Sequence, residues 1–334
     1  MPVAPSLVTR LVIVLLLLVA AVESFLLYQQ RAAIRAANVQ SDKLLTTFLE
    51  GDTTQVSGTS GVSIRLQNVQ FKWSDRVYID TGNMAVRAVP NQGSTVDFDN
   101  LESFHLALQQ SVVLIRPEVL EGMFNESVFN YPNSKVRDLK VKLEHDDGEY
   151  IVRVDGRVNV GLWLPFKMKT HLRIDQATNT LVIDVDGLKL FGVLAVTKLI
   201  KWEPLQLEHM ISIPPNKSLM VDANRMMVKP FGLFPPPRVN GTMSSVRVDE
   251  RGVHLSFAGR PIQAPESSAK NYVYLKGGRA QFGRFCMNDT DILIVDQDQS
   301  DAFIFSLLGY ASLIPRSKID IRDTQSVRVE MPDR

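Results

Sequence analysis

From Tyr150 to Ile174 the chain alternates between apolar and polar residues. Even positions carry Tyr150, Val152, Val154, Gly156, Val158, Val160, Leu162, Leu164, Phe166, Met168, Thr170, Leu172 and Ile174. Odd positions include Arg153, Asp155, Arg157, Asn159, Lys167, Lys169, His171 and Arg173. A period of two separates side chains onto the two faces of a strand. Fully extended, this stretch spans on the order of 80 Å, too long for one strand, so it predicts two long strands turning near Asn159 to Pro165. Shorter alternations predict further strands: Val62, Ile64 and Leu66; Leu139, Val141 and Leu143; Leu181, Ile183 and Val185; Val253, Leu255 and Phe257; Val327, Val329 and Met331. One apolar and one wetted face implies a curved antiparallel sheet.

Two segments break the pattern with helical periodicity. "RPEVLEGMFNESVFN", 116–130, places Pro117 at a helix start and an acid in the first turn, with Val119, Leu120, Met123 and Phe124 as its apolar stripe. "FGVLAVTKLIKW", 191–202, is apolar around most of its circumference, as in a helix that is buried or lies against lipid. There is also an internal echo: "VYIDTGNMAVRAV" at 77–89 resembles "VYLKGGRAQFGRF" at 273–285. It reads as a duplicated hairpin unit or as two similar hairpins.

The longest apolar run, "LVIVLLLLVAAVESFLLY" at 11–28, carries Glu23 as its only charge. As a helix it rises about 27 Å, close to the thickness of a hydrocarbon core. Arg10 and Val19-Ala20-Ala21 also suit a cleaved signal peptide, but "FLLY" continues the run past that site and favours an uncleaved anchor. No cysteine directly follows the run, which excludes a bacterial lipoprotein. Arg10 on one side and Arg31 and Arg35 on the other nearly balance the positive-inside count. A short leader before a long β body favours a cytoplasmic amino terminus, an inner-membrane span and an exported body in the periplasm. Residues 29–50 extend the anchor as a helical stalk, and "GDTTQVSGTSG" at 51–61 reads as a linker. A curved-sheet domain at 62–265 and a C-terminal β segment at 266–334, packing on that domain, complete the expected organisation. The fold class is therefore α+β and β-rich: a transmembrane helix, then a long curved antiparallel sheet wrapping one or two helices.

Composition narrows the function. The 334 residues carry 37 basic and 36 acidic side chains, a net charge of +1, without the basic excess of a general nucleic-acid binder. The single cysteine, Cys286, excludes an intramolecular disulfide and reads as a small packing residue in a strand. His105, His145, His171, His209 and His254 are scattered, with no ligand pair at short spacing for a metal. "DQDQSD", 296–301, lacks the glycine and glutamate of a calcium loop and reads as a solvated acidic turn; "HDDG", 145–148, reads as a hairpin turn. Sequons begin at Asn125, Asn216, Asn240 and Asn288. No catalytic motif is recognisable, so neither a cofactor nor an enzymatic activity is expected.

Two features point to surfaces. Arg153, Arg157, Lys167, Lys169 and Arg173 share a face of the long hairpin and are candidates for lipid head groups; the alternative is a charged solvent face. In "KPFGLFPPPRVNG", 229–241, three prolines fix the chain and present Phe231, Leu233 and Phe234. These form either a plug closing the end of the sheet or the lip of a groove.

The stretches "VVLIRPEVLEGMFN", "VRDLKVKLEHDDGEYIVRVDGRVNVGLWLPFKMKTHLRI", the apolar helix at 191–202 and "RVNGTMSSVRVDERGVHLSFAG" together resemble, over about 112–258, the LmeA-like family of exported bacterial lipid-binding proteins. That family belongs to the tubular lipid-binding superfamily. The resemblance implies a strongly curved sheet around a long helix, enclosing an apolar groove for acyl chains. It carries over no residue with a defined chemical role, and the strands at 60–110, the Pro-rich insertion and the segment 270–334 depart from the pattern. Expected lipid contacts are Val158, Val160, Phe166, Met168, Leu172, Leu194 and Leu199, with Phe231, Leu233 and Phe234 at the lip. The expected partners are a bilayer through residues 11–28, a phospholipid or related amphiphile, and an envelope protein; nucleic acid is not expected. The competing expectation is a non-enzymatic envelope scaffold that binds a protein through its sheet edges and Pro-rich loop.

Overall fold

The computed structural model describes residues 61–72, 78–159, 161–190, 207–210, 218–229, 236–306, 309–322 and 326–332. The chain divides into the units Met1–Asp52 and Thr53–Arg334, and every described residue belongs to the second. The expected anchor, stalk and helix at 191–202 lie outside the described residues. Among the described residues no helix is long and apolar enough to cross a membrane.

The second unit is β-rich, as its alternations require. The long alternating stretch forms β7 (Glu149–Asn159) and β8 (Trp163–Asp175), turning where the pattern predicts. Val152, Val154, Val158, Leu164, Phe166, Met168 and Thr170 are all buried. These strands lie in a six-stranded sheet ordered β10-β11-β9-β8-β7-β6, completed by β6 (Val136–Asp146), β9 (Thr180–Leu190), β10 (Leu219–Asp222) and β11 (Arg225–Val228). At the β6–β7 turn Asp147 and Gly148 take φ of 47° and 91°. Left-handed backbone at both central residues matches the right-handed twist of a hairpin, as expected for "HDDG".

Period two predicts one antiparallel sheet, but the described strands divide among three, and two of these contain parallel pairs. Alternation fixes the face a side chain takes, not the strand that lies beside it. The large sheet has 12 strands with the main order β13-β14-β5-β2-β1-β15-β18-β21-β20. Along that path the strands are β13 (Thr242–Asp249), β14 (Gly252–Ala258), β5 (Ser111–Ile115), β2 (Tyr78–Pro90), β1 (Val62–Lys72), β15 (Tyr272–Lys276), β18 (Asp291–Asp296), β21 (Val327–Met331) and β20 (Lys318–Ile321). Off the path, β4 (Phe104–Leu108) pairs with β2 and with β12 (Arg238–Asn240), and β19 (Phe303–Phe305) pairs with β1. A small sheet joins β3 (Thr95–Asp97), β16 (Arg279–Phe282) and β17 (Phe285–Met287).

The echo between 77–89 and 273–285 is not a shared hairpin. Tyr78–Pro90 is one strand, whereas the second copy is cut into β15, β16 and the start of β17. Thr81-Gly82 continues its strand, while Gly277 and Gly278, at φ of 73° and 68°, turn theirs.

The helix at Arg116 is shorter than its periodicity suggests. It runs α-helically over Pro117–Met123 and then widens into a π-turn, Phe124–Val128. The π-turn aims Asn125 at the open edge of β6, where its amide donates to the Leu139 carbonyl (2.9 Å) and its oxygen accepts from the Leu139 N–H (3.0 Å). The side chain thereby does what a neighbouring strand would do for an edge. Asn179 repeats the device, donating to the Gly241 carbonyl (2.7 Å) and accepting from the Met243 N–H (2.8 Å), and so ties the β8–β9 turn to the large sheet. The Asn125 amide is thus already committed, despite its sequon. Asn125→Leu strands two half-buried backbone groups, each at about 1–3 kcal/mol; a loss of about 2–4 kcal/mol is expected in denaturant unfolding. A loss below about 0.5 kcal/mol would mean that water serves the edge equally well.

Candidate functional site

The inner face of the large sheet surrounds a cavity of about 110 Å³. Its walls come from β1 (Ile64, Leu66, Phe71) and β2 (Ile79, Met84, Val86), and also from strands far along the order, such as Leu255 of β14 and Ile294 of β18. Adjacent strands sit roughly 4.8 Å apart, so β14 and β18 would lie about 24 Å apart in a flat sheet. Only a strongly bent sheet brings them to one cavity.

The bend has a local origin. In β1 the buried residues are Val62, Ile64 and Leu66, then Val69 and Phe71, so the alternation changes phase at Asn68. In β2 it changes phase at Gly82 and Asn83. These points lie across the ladder from one another, between the pairs Gln67↔Asn83 and Val69↔Thr81. Asn68 takes a left-handed φ of 49°, tolerated because an Asn side chain can bond locally. Its amide donates to Asn271 Oδ1 at 2.7 Å, and the Asn271 amide in turn bonds the carbonyls of Asp298 and Asp301. At the bend both strands exchange neighbours. The outer edge of β1 passes from β15 to β19, and that of β2 passes from β5 to β4. Strands that change sheets at an irregularity make the corners of closed β architectures.

The cavity walls are aliphatic and aromatic. Among the described lining residues the only hydroxyl belongs to Tyr310, and it donates to Asp99 Oδ1 at 2.9 Å. Burial first, and then the Asp99 carboxylate, push the Tyr310 pKa far above that of an ordinary tyrosine. Phe98 stacks on Phe282 at 4.7 Å between ring centroids, and Phe282 meets Tyr310 edge-on at 6.2 Å. Met123, Val239 and Phe282 are the lining residues that are only partly buried, and they mark where the cavity approaches solvent. Val239 lies in β12, whose first residue, Arg238, follows Pro237 in the chain.

The residues expected to contact lipid fall elsewhere. Val158, Phe166 and Met168 are buried in the main core, and Leu172 packs against it; none of the four lines the cavity. Val160, Leu194, Leu199, Phe231, Leu233 and Phe234 lie outside the described residues. Sequence reasoning did find Ile64, Leu66, Leu255 and Phe257 as inward positions of strands, but not as walls of a cavity, because their alternations are short.

The basic face of the long hairpin is matched by acids. Arg153 pairs with Glu144 and, at 2.8 Å, with Asp155, while Lys169 meets Asp146 at 2.6 Å. Asp184 lies 2.7 Å from Arg173 and 2.8 Å from Arg225. The hydrogen bond from Arg153 is the main influence holding the Asp155 carboxyl below the usual range; Lys142 and Lys167 add to it. Burial pushes the Asp184 carboxyl up, but its two arginines outweigh that and leave it lowered. Arg157 is exposed, and Arg137, its register partner across the strand, lies over the Trp163 ring at 4.0 Å. An anionic head group would have to compete with these carboxylates.

Other candidate chemistry disperses. Cys286, expected to pack, is exposed, because β17 is an edge strand of the small sheet. In the acidic turn Asp296 is buried rather than solvated. His254 is buried with its Nε2 2.9 Å from Asp249, and His105 lies 2.9 Å from Asn91. Among the described residues no group of His, Cys, Asp and Glu could hold a metal ion. Comparison of the chain with protein-family models, curated proteins and solved structures gives no match.

Proposed function

We propose that this chain is a membrane-anchored, extracytoplasmic protein that holds or transfers phospholipid or a related amphiphile in the cell envelope, taking part of an acyl chain into the large-sheet cavity. The observation that supports this most is the cavity itself, whose one hydroxyl is already bonded. A void lined only by apolar groups stays dry; an engineered one of roughly 150 Å³ binds benzene. A cavity of about 110 Å³ suits a few methylenes, not a whole lipid. Each buried methylene contributes about 0.8 kcal/mol, so no charged anchor is required. In this reading residues 11–28 span the inner membrane and the body lies in the periplasm. No cofactor or catalytic group is needed.

Full-length protein stripped of lipid in detergent and titrated with the fluorescent fatty acid cis-parinaric acid should give a saturable rise in emission, reversed by phospholipid. No saturable rise would overturn the proposal.

The second reading, a non-enzymatic scaffold, is favoured by the edge strand β20. Ile319 and Ile321 are 50% and 68% exposed there, and an edge of this kind can accept a partner strand. Crosslinking that recovers a stoichiometric protein partner and no lipid would favour it.

A further inference from the structure

The rim of the cavity at Phe282 carries a pattern of its own. β16 and β17 are joined by Gly283-Arg284, and their register sets Phe282 opposite Phe285. Directly opposed side chains share a face: Phe282 lines the cavity, and Phe285 beside it is 50% exposed. Tyr310, the edge-on neighbour of Phe282, begins a helical turn whose far end is Ile314, 36% exposed, with its N–H bonded to the Tyr310 carbonyl. Arg284 in the β16–β17 turn and Arg316 at the end of the 3-10 turn Ile314–Arg316 are both exposed, and among the described residues neither has a carboxylate partner. Asp99, a carboxylate at this rim, accepts from the Gly283 N–H and the Tyr310 hydroxyl.

Exposed aromatic and aliphatic side chains flanked by unmatched guanidinium groups, at the rim of an apolar cavity, are out of place against water. They suit the boundary of a bilayer, where apolar side chains sink to the acyl level and arginines stay with phosphates. We propose that the Phe282–Phe285 turn and the Ile314–Arg316 segment form the surface by which the cavity docks on a bilayer containing anionic lipid. The proposal rests on the acyl-binding reading above and names the face through which a chain would pass.

The only cysteine of the chain provides the probe. Cys286 is exposed and adjoins Phe285, so an environment-sensitive dye placed on it reports immersion of this turn. With full-length protein, vesicles containing phosphatidylglycerol should shift the dye emission to the blue, and phosphatidylcholine vesicles should do so much less. The double variant Ile314→Ser with Arg316→Glu, remote in sequence from the dye, should need roughly tenfold more anionic vesicle for the same shift, as expected for loss of one apolar and one cationic contact. Its affinity for cis-parinaric acid should be unchanged. The docking surface is overturned by an absent shift, by an equal shift on neutral vesicles, or by an unchanged double variant. It is also overturned by a shift that grows with protein concentration without vesicles, which would place a second copy on this face. If the shift fails while cis-parinaric acid still binds, this surface alone falls; if both fail, the acyl-binding reading falls with it.

Discussion

Phe303→Ala is expected to lower the unfolding temperature by roughly 10 °C. Phe303 is fully buried, at 0% exposure, in the three-residue strand β19. Its ring lies 5.7 Å from that of Phe305, which in turn sits 6.3 Å from Phe71. Truncating a buried Phe to Ala costs about 3–5 kcal/mol, because the lost transfer energy is joined by that of the space left behind. For a domain of this size each kcal/mol moves the midpoint by about 2–4 °C. The position magnifies the effect. β19 pairs with β1 only beyond the bend at Asn68, with Val69 opposite Phe303, so a loosened β19 frees the very part of β1 that turns the sheet around the cavity. Phe285→Ala, at a site 50% exposed, should shift stability by no more than about 0.5 kcal/mol. Differential scanning calorimetry of the two variants makes the comparison. A Phe303→Ala protein melting within a degree or two of the parent would mean that β19 does not hold the bend.

How much of this was legible in the sequence depends on what each signal encodes. The alternation from Tyr150 to Ile174 encodes face and phase, and both are found, because Val152, Val154, Val158 and Phe166 need burial whichever strands flank them. Partner choice is not encoded, so the division into three sheets was invisible. The bend was partly legible. In "IRLQNVQFK" the apolar parity changes at Asn68, and Asn is among the few residues that enter left-handed backbone cheaply; that change of phase was the available clue. The long hairpin offers no such clue, since a strand of pure alternation carries no sign of where a sheet turns. Cys286 shows the opposite limit. A cysteine between Phe285 and Met287 looks buried from its neighbours, yet exposure follows from β17 standing at a sheet edge, a property of topology. The helix at Pro117 gave its apolar stripe correctly: Val119 is buried, and Leu120, Met123 and Phe124 pack on the core. Its π-turn was beyond reach, since the pull on Asn125 comes from the unpaired edge of β6.

Filling the cavity is expected to abolish ligand binding and leave the fold at least as stable. Val113 of β5 is 5% exposed and lines the cavity; a phenyl group there would project into the space an acyl segment needs. Filling a true void commonly adds about 0.5–2 kcal/mol, whereas overpacking a filled core costs about 1–3 kcal/mol. The sign of the stability change in Val113→Phe therefore tells open space from packed core, independently of any ligand. Affinity for cis-parinaric acid should fall at least tenfold, or about 1.4 kcal/mol, since a displaced segment of only two methylenes is worth about 1.6 kcal/mol. Leu255→Phe, at the position of β14 directly paired with Val113 and lining the same wall, should reproduce both effects, while Phe166→Leu in the six-stranded sheet should destabilise without altering affinity. A stabilised Val113→Phe protein that still bound the fatty acid would move the ligand out of the large sheet. The apolar face of the long hairpin, or Phe231, Leu233 and Phe234 of the Pro-rich loop, would then be the ligand's site. A sealed, packed interior and an open cavity thus make opposite predictions for the same substitution.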